Sequence, residues 1–234
     1  MSRLIIKGLI GGAVQVAIYA AALLIPAGIV HGGTWYWPRA LLFFLLYAIA
    51  LEASVVVMAI AAPNSLAARL TPPATEAQPM ADRVATLLLV LATLGWFAFV
   101  AVDVFDLKLL PPPSWGVSLA GAVVSFAGFI VAVTAIHQNA FAIPIVEDQS
   151  ARAQVVITSG LYAYVRHPMY LGILIFHAGL ALWLGSYAAL LAVGVMVLML
   201  RIRIGIEETT LRQTLPEYPQ YITRVPARLV PGIW

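Results

Sequence analysis

Hydrophobic residues along this 234-residue chain fall in long blocks separated by small charged clusters. The uncharged stretches span 31 residues between Lys7 and Arg39, 19 between Arg83 and Asp103, 38 between Lys108 and Glu147, and 34 between Arg166 and Arg201. A bilayer-crossing helix needs about 20 apolar residues at a rise of ~1.5 Å each. The pattern predicts helices near 8–30, 40–61, 84–105 and 115–137. The stretch 167–200 is too long for one crossing and carries Gly185-Ser186 near its middle. It predicts a tight hairpin, about 168–184 and 187–204, whose second arm continues as a polar helix to about 215. The expected fold is all-α: a polytopic membrane helical bundle of about six passes, two of them short, with a C-terminal hairpin and tail.

Composition supports that reading. The chain is 62% hydrophobic and 10% charged, with mean hydropathy +0.97, whereas an ordinary globular chain carries roughly 25% charged residues. A soluble domain, a disordered chain, a disulfide scaffold (there is no Cys) and a nucleic-acid binder are excluded together. The first apolar block, flanked by Arg3 and Lys7, far exceeds the ~7–15 residues of a signal-peptide core and reads as a retained span.

The net charge of +3 is small, and its distribution says more. Six passes put both termini on one side, with Arg3, Lys7, Arg69, Arg83, Arg152, Arg166, Arg201, Arg203, Arg212, Arg224 and Arg228. Arg39 and Lys108 fall on the other. That bias places the termini and segments 62–83, 138–167 and 205–234 in the cytoplasm. An Ala-rich chain with short loops suggests a bacterial inner membrane. The outer connections are short, and 62–83, with Pro63, Pro72, Pro73 and Pro79, reads as a surface linker.

Polar residues concentrate around the last hairpin, which returns the chain to its start and lets both flanks meet. The run Ser159 to Tyr170 is dense in polar and aromatic groups, and Pro168 suits a first helical turn. Such a terminus offers free N–H groups and a positive dipole end to a carboxylate, with Arg166 and His167 as further donors; the alternative is an interfacial Tyr/Arg anchor. On the second arm, Arg203 and Glu207 are four apart and can pair. That pair is either a surface bridge or a functional group where a helix leaves lipid.

Three ordered motifs then carry a resemblance. They are Ser159-Gly160-Leu161-Tyr162 through Arg166-His167-Pro168-Met169-Tyr170, then Arg203-x-x-x-Glu207-Glu208-x-x-Leu211, then Glu217-Tyr218-x-x-Tyr221-x-x-Arg224-Val225-Pro226. Together, over residues 137–234, they resemble the isoprenylcysteine carboxyl methyltransferase family of integral-membrane enzymes. The resemblance implies S-adenosylmethionine as cofactor, held beneath the C-terminal tail, and a lipidic or prenylated substrate entering from the bilayer. Residues 1–110 form a three-span region outside it, and 111–234 the methyltransferase core.

Under that resemblance the cofactor carboxylate suits Arg166, His167 or the helix terminus at Pro168. Glu208 suits the ribose hydroxyls or ammonium, and Tyr162, Tyr170 and Leu211 suit adenine. Arg203, held by Glu207, would orient an acidic acceptor through its bidentate fork, making O-methylation the expected reaction. With a thiol or amine acceptor Glu207 would instead act as base. Asn139 could line the substrate mouth or end a helix, and Tyr218 and Tyr221, with Arg224, could form a lid or an interfacial tail.

His177 and Glu52 read as helix-packing groups, and Asp103 and Asp106 as outer-face capping or solvated residues. No cluster has metal-ligand spacing. A nicotinamide-dependent membrane reductase and a transporter or scaffold are the competing classes. Few cations are left to hold a multiply phosphorylated cofactor, and no internal repeat supports a transporter.

Overall fold

The computed structural model describes residues 2–70, 78–143 and 154–234. Pro72, Pro73, Glu147 and Arg152, which figure in the loop and charge readings above, lie outside the described residues. Among the described residues eight α-helices follow in order: α1 (Ser2–Val30), α2 (Pro38–Ala61), α3 (Pro63–Arg69), α4 (Met80–Val102), α5 (Trp115–Gln138), α6 (Pro168–Leu184), α7 (Tyr187–Thr214) and α8 (Tyr218–Arg224). Five are long and apolar enough to cross a membrane, α4 being counted with the π-helical turn Asp103–Leu107 that extends it, and α6 is a shorter apolar helix. The protein is a polytopic helical bundle.

The hairpin is set by local chemistry. Pro168 occupies the first turn of α6, where its missing N–H costs nothing. Gly185 ends α6 at φ +103°, a left-handed conformation open to glycine. Ser186 then caps α7, its hydroxyl accepting from the Ala189 N–H at 2.8 Å. From this common turn α6 runs 17 residues and α7 runs 28, so only the first arm is short. The excess of 28 − 17 = 11 residues carries α7 about 16 Å past the start of α6. Glu207, Glu208 and Leu211 lie on that overhang, while Arg203 comes level with Tyr170.

Two interfaces anchor the hairpin. Along α5 and α6, Gly121 and Gly128 face Gly179 and Gly172, and a Cβ at Gly128 would stand 2.3 Å from the Phe176 nitrogen. The two backbones are in direct contact, a small-residue packing that suits helices in lipid. Ser125 donates across it to the Phe176 carbonyl at 3.0 Å. On the other side, Trp96 of α4 donates to the Ala189 carbonyl of α7 at 2.8 Å. The hydrophobic core between includes Phe43, Tyr47, Phe97, Phe176 and Leu180.

Two readings change. Within the 62–83 linker, Pro63–Arg69 is helical, started by Pro63 and held because Leu66 buries against Val55, Met58 and Ala59. Asp103 is 3% exposed. It accepts from Ser186 at 2.5 Å and from the Leu109 N–H at 3.0 Å, tying the end of α4 to the hairpin turn. Glu52 faces Gly12 of α1. His177 donates to the Ile173 carbonyl at 2.8 Å and packs among Trp96, Phe97 and Phe176.

Candidate active site

The open end of the hairpin is closed by the chain that follows it. After α7, α8 and the tail turn back over the segment before α6. There the Arg166 and His167 N–H groups donate to the Ala227 and Arg228 carbonyls, both at 3.0 Å. Arg166 also donates through Nη1 to the carbonyls of Val225 at 2.8 Å and Pro226 at 2.6 Å. Tyr221 of α8 donates to the Tyr162 carbonyl at 2.7 Å, within the turn Gly160–Ala163. Tyr162 in turn reaches the Ala135 carbonyl of α5 at 3.3 Å.

Glu208 is the electrostatic hub of this closure. One oxygen accepts from Arg166 Nε at 2.8 Å and His167 Nε2 at 3.2 Å; the other accepts from Arg228 Nη2 at 3.0 Å and Nε at 3.2 Å. Its carboxylate is therefore saturated by three side chains of the protein. A buried carboxylate needs such partners.

Glu207 has a different setting. It accepts from the Tyr170 hydroxyl at 2.8 Å, lies 4.0 Å from His167 Nδ1, and keeps about a quarter of its side chain open (26%). Arg203 donates through Nε to the Tyr170 oxygen at 3.1 Å and is itself only 3% exposed. Tyr170 thus stands between Arg203 and Glu207.

Beneath α8 lies a narrow cleft of about 70 Å³. Asn139, Tyr162, Arg166, His167, Tyr170, Glu207, Leu211, Tyr218 and Tyr221 border it. Asn139 ends α5 and its side chain reaches Tyr162. Three expected site residues stand behind the wall. Pro168 is buried at the start of α6, Glu208 faces Arg166, His167 and Arg228, and Arg203 sits behind Tyr170.

Other lining groups carried no sequence signal: Phe141, Gln154, Val155, Val156, Ile157 and Leu215; Met169 lay within the quoted motif without an assigned role. Arg228 was assigned only to the tail, and its pairing with Glu208, 20 positions away, appears only on folding. Arg69 of α3 likewise donates to the Ala142 carbonyl on the cleft wall.

Burial raises the pKa of three phenols around the cleft and so holds them neutral. It pushes Tyr221 up to about 12 against the lowering pull of Arg166 and Arg224. Burial also raises Tyr162 and Tyr218, with Glu207 adding to the rise at both and Glu208 at Tyr218. All three are hydrogen-bond donors at neutral pH.

The arrangement combines tyrosine and aliphatic walls, one partly open carboxylate and an imidazole. Such a lining offers stacking, apolar contact and hydrogen-bond acceptors to a small polar ligand. The phospholipid methyltransferase family model matches residues 115–217, from the start of α5 to the residue before α8. No curated protein matches the chain.

Proposed function

We propose that this chain, whose residues 115–217 match the phospholipid methyltransferase family model, a family that includes the isoprenylcysteine methyltransferase-like membrane enzymes, is an S-adenosylmethionine-dependent methyltransferase acting on a lipidic acceptor. The match supports a membrane methyltransferase over the reductase and transporter readings. The bound cofactor would supply an electrophilic methyl group on a cationic sulfonium. Tyr162, Tyr170 and Leu211 offer its adenine stacking and apolar contact, and Glu207 offers a carboxylate to its cationic part. Glu208, saturated by Arg166, His167 and Arg228, holds the tail over the cleft.

The observation that carries the acceptor assignment is the opposite exposure of Glu207 and Arg203. Glu207 opens onto the cleft, while Arg203 is buried behind Tyr170. A carboxylate acceptor would meet the Glu207 charge, while the Arg203 guanidinium is turned away behind Tyr170. A thiol or protonated amine would meet a base. In that reaction a bond forms from the acceptor sulfur or nitrogen to the methyl carbon. The S–CH₃ bond breaks with its electron pair going to sulfur, and Glu207 takes the acceptor's proton. We therefore favour a thiol or amine over the carboxylate that the motif resemblance implies. The cation bias supports a site at the cytoplasmic face, with lipidic or prenylated substrates entering from the bilayer.

The test uses purified protein in lipid nanodiscs. S-adenosylhomocysteine should bind with micromolar-range affinity by calorimetry; no detectable heat would remove the cofactor assignment. With methyl-labelled cofactor, a long-chain alkanethiol or phosphatidylethanolamine should gain base-stable label. Base-labile label on an S-farnesylcysteine carboxylate would restore the O-methyl reading and overturn the acceptor assignment.

A further inference from the structure

The matched family segment begins at residue 115, yet a chain of polar contacts from α4 reaches the cleft. Asp82, in the first turn of α4, is fully buried (0% exposed). Gln78 donates to it at 2.5 Å, and its other oxygen lies 3.8 Å from Arg203 Nη1. The same nitrogen donates to the Thr86 hydroxyl at 2.5 Å. Arg203 Nε then donates to Tyr170, and Tyr170 to Glu207. Building on the methyltransferase reading, we propose that Asp82, with Thr86, is a positioning residue that locks Arg203 so that Tyr170 presents Glu207 to the reacting groups.

The direction of each bond carries the argument. A guanidinium only donates, so the Tyr170 oxygen must accept from Arg203 and turn its own proton toward Glu207. Arg203 holds this pose because Asp82 and Thr86 engage Nη1 while Tyr170 takes Nε. Arg203 and Glu207 are also four residues apart on α7, a spacing at which the two can pair directly. Without the Asp82 charge, Arg203 is released to swing onto Glu207 and occupy the carboxylate that faces the cleft. The membrane bundle outside the matched segment would thereby keep the Glu207 carboxylate available as a base. An acid in a first helical turn also favours the helix dipole, so a purely structural role for Asp82 is the competing account. It has a different signature.

The experiment compares Asp82→Asn, Asp82→Glu, Thr86→Val, Arg203→Gln and the Asp82→Asn/Arg203→Gln double variant in nanodiscs. S-adenosylhomocysteine affinity is measured by calorimetry, and turnover with whichever probe the wild-type protein labels. Asp82→Asn should lower kcat roughly ten- to a hundredfold, the scale of small misplacements of reacting groups. Cofactor-product affinity should stay within about twofold, as for an effect confined to the transition state. Thr86→Val should show a smaller loss of the same kind, and Asp82→Glu should recover part of the rate. The double variant should be no slower than Arg203→Gln, because both changes break one contact chain.

Wild-type kcat in Asp82→Asn, or additive losses in the double variant, would overturn the proposal. So would parallel loss of S-adenosylhomocysteine binding in Asp82→Asn and Thr86→Val, which marks a fold staple. If Asp82→Asn alone fails to assemble, the kcat of Thr86→Val decides. Failure of wild-type protein to bind S-adenosylhomocysteine would strike the methyltransferase cofactor instead, a separate result.

Discussion

Replacing Glu208 with Ala should unlatch the C-terminal tail. The carboxylate is 3% exposed and the Arg166 side chain 5%, so their 2.8 Å contact is a buried ion pair. Removing one partner of such a pair costs about 3–5 kcal/mol, because the remaining charge is stranded. Arg166 keeps the Val225 and Pro226 carbonyls, which places the loss toward the lower end. Arg228 is 31% exposed and can rehydrate, so its pairing adds about 1 kcal/mol or less. A cost of about 3 kcal/mol raises the population of an undocked tail by roughly 10² at ~1.4 kcal/mol per factor of ten.

The chain has no cysteine, so a single Ala227→Cys reports docking cleanly. Ala227 is 9% exposed, and its carbonyl receives the Arg166 N–H. Maleimide labelling at this position should accelerate on the order of a hundredfold in Glu208→Ala, limited by the rate of a fully open thiol. In Arg228→Gln the change should be less than about fivefold. Equal labelling rates in Glu208→Ala and the parent would refute the account of Glu208 as the latch.

Glu207→Gln should lower turnover by about 10²–10⁴, the usual worth of a general base, while thermal denaturation stays close to wild type because the group is partly open. Gly128→Leu should prevent assembly of the hairpin, read as loss of monodisperse protein in detergent. Even Gly128→Ala should cost about 1–3 kcal/mol through overpacking, since its Cβ meets backbone at 2.3 Å. Tyr221 ionises at an ordinary value of 10.0 when unfolded and about 12 when docked. Its neutral form is favoured by folding, so tail docking should be constant below pH ~10 and weaken between pH ~10 and ~12. Labelling at Ala227→Cys across that window should show the loss, and Tyr221→Phe should reduce its pH dependence.

Much of the fold was legible because long apolar blocks must become membrane helices and Gly-Ser ends one helix while capping the next. The hairpin arms expected at 168–184 and 187–215 are the helices Pro168–Leu184 and Tyr187–Thr214. Helix α3 was hidden, because three prolines nearby look like linker and only tertiary burial of Leu66 rewards a short helix. The heptad-spaced glycines on α5 and α6 were visible letters without a visible partner.

The same division holds at the site. Sequence alone determined which residues could meet at the hairpin's open end, since a tight turn brings Tyr170 level with Arg203 and leaves Glu207 and Glu208 beyond it. It also carried the motifs that match a methyltransferase family. Only the tertiary structure decided which of two adjacent glutamates faces the cleft. On a helix, neighbouring residues point about 100° apart, so the register of α7 against its neighbours turns Glu208 to Arg228 and leaves Glu207 open. The same packing put Tyr170 in front of Arg203 and brought Asp82 from α4 behind it, contacts between residues more than thirty and more than a hundred positions apart. No local pattern encodes such distances; they follow from how the helices pack.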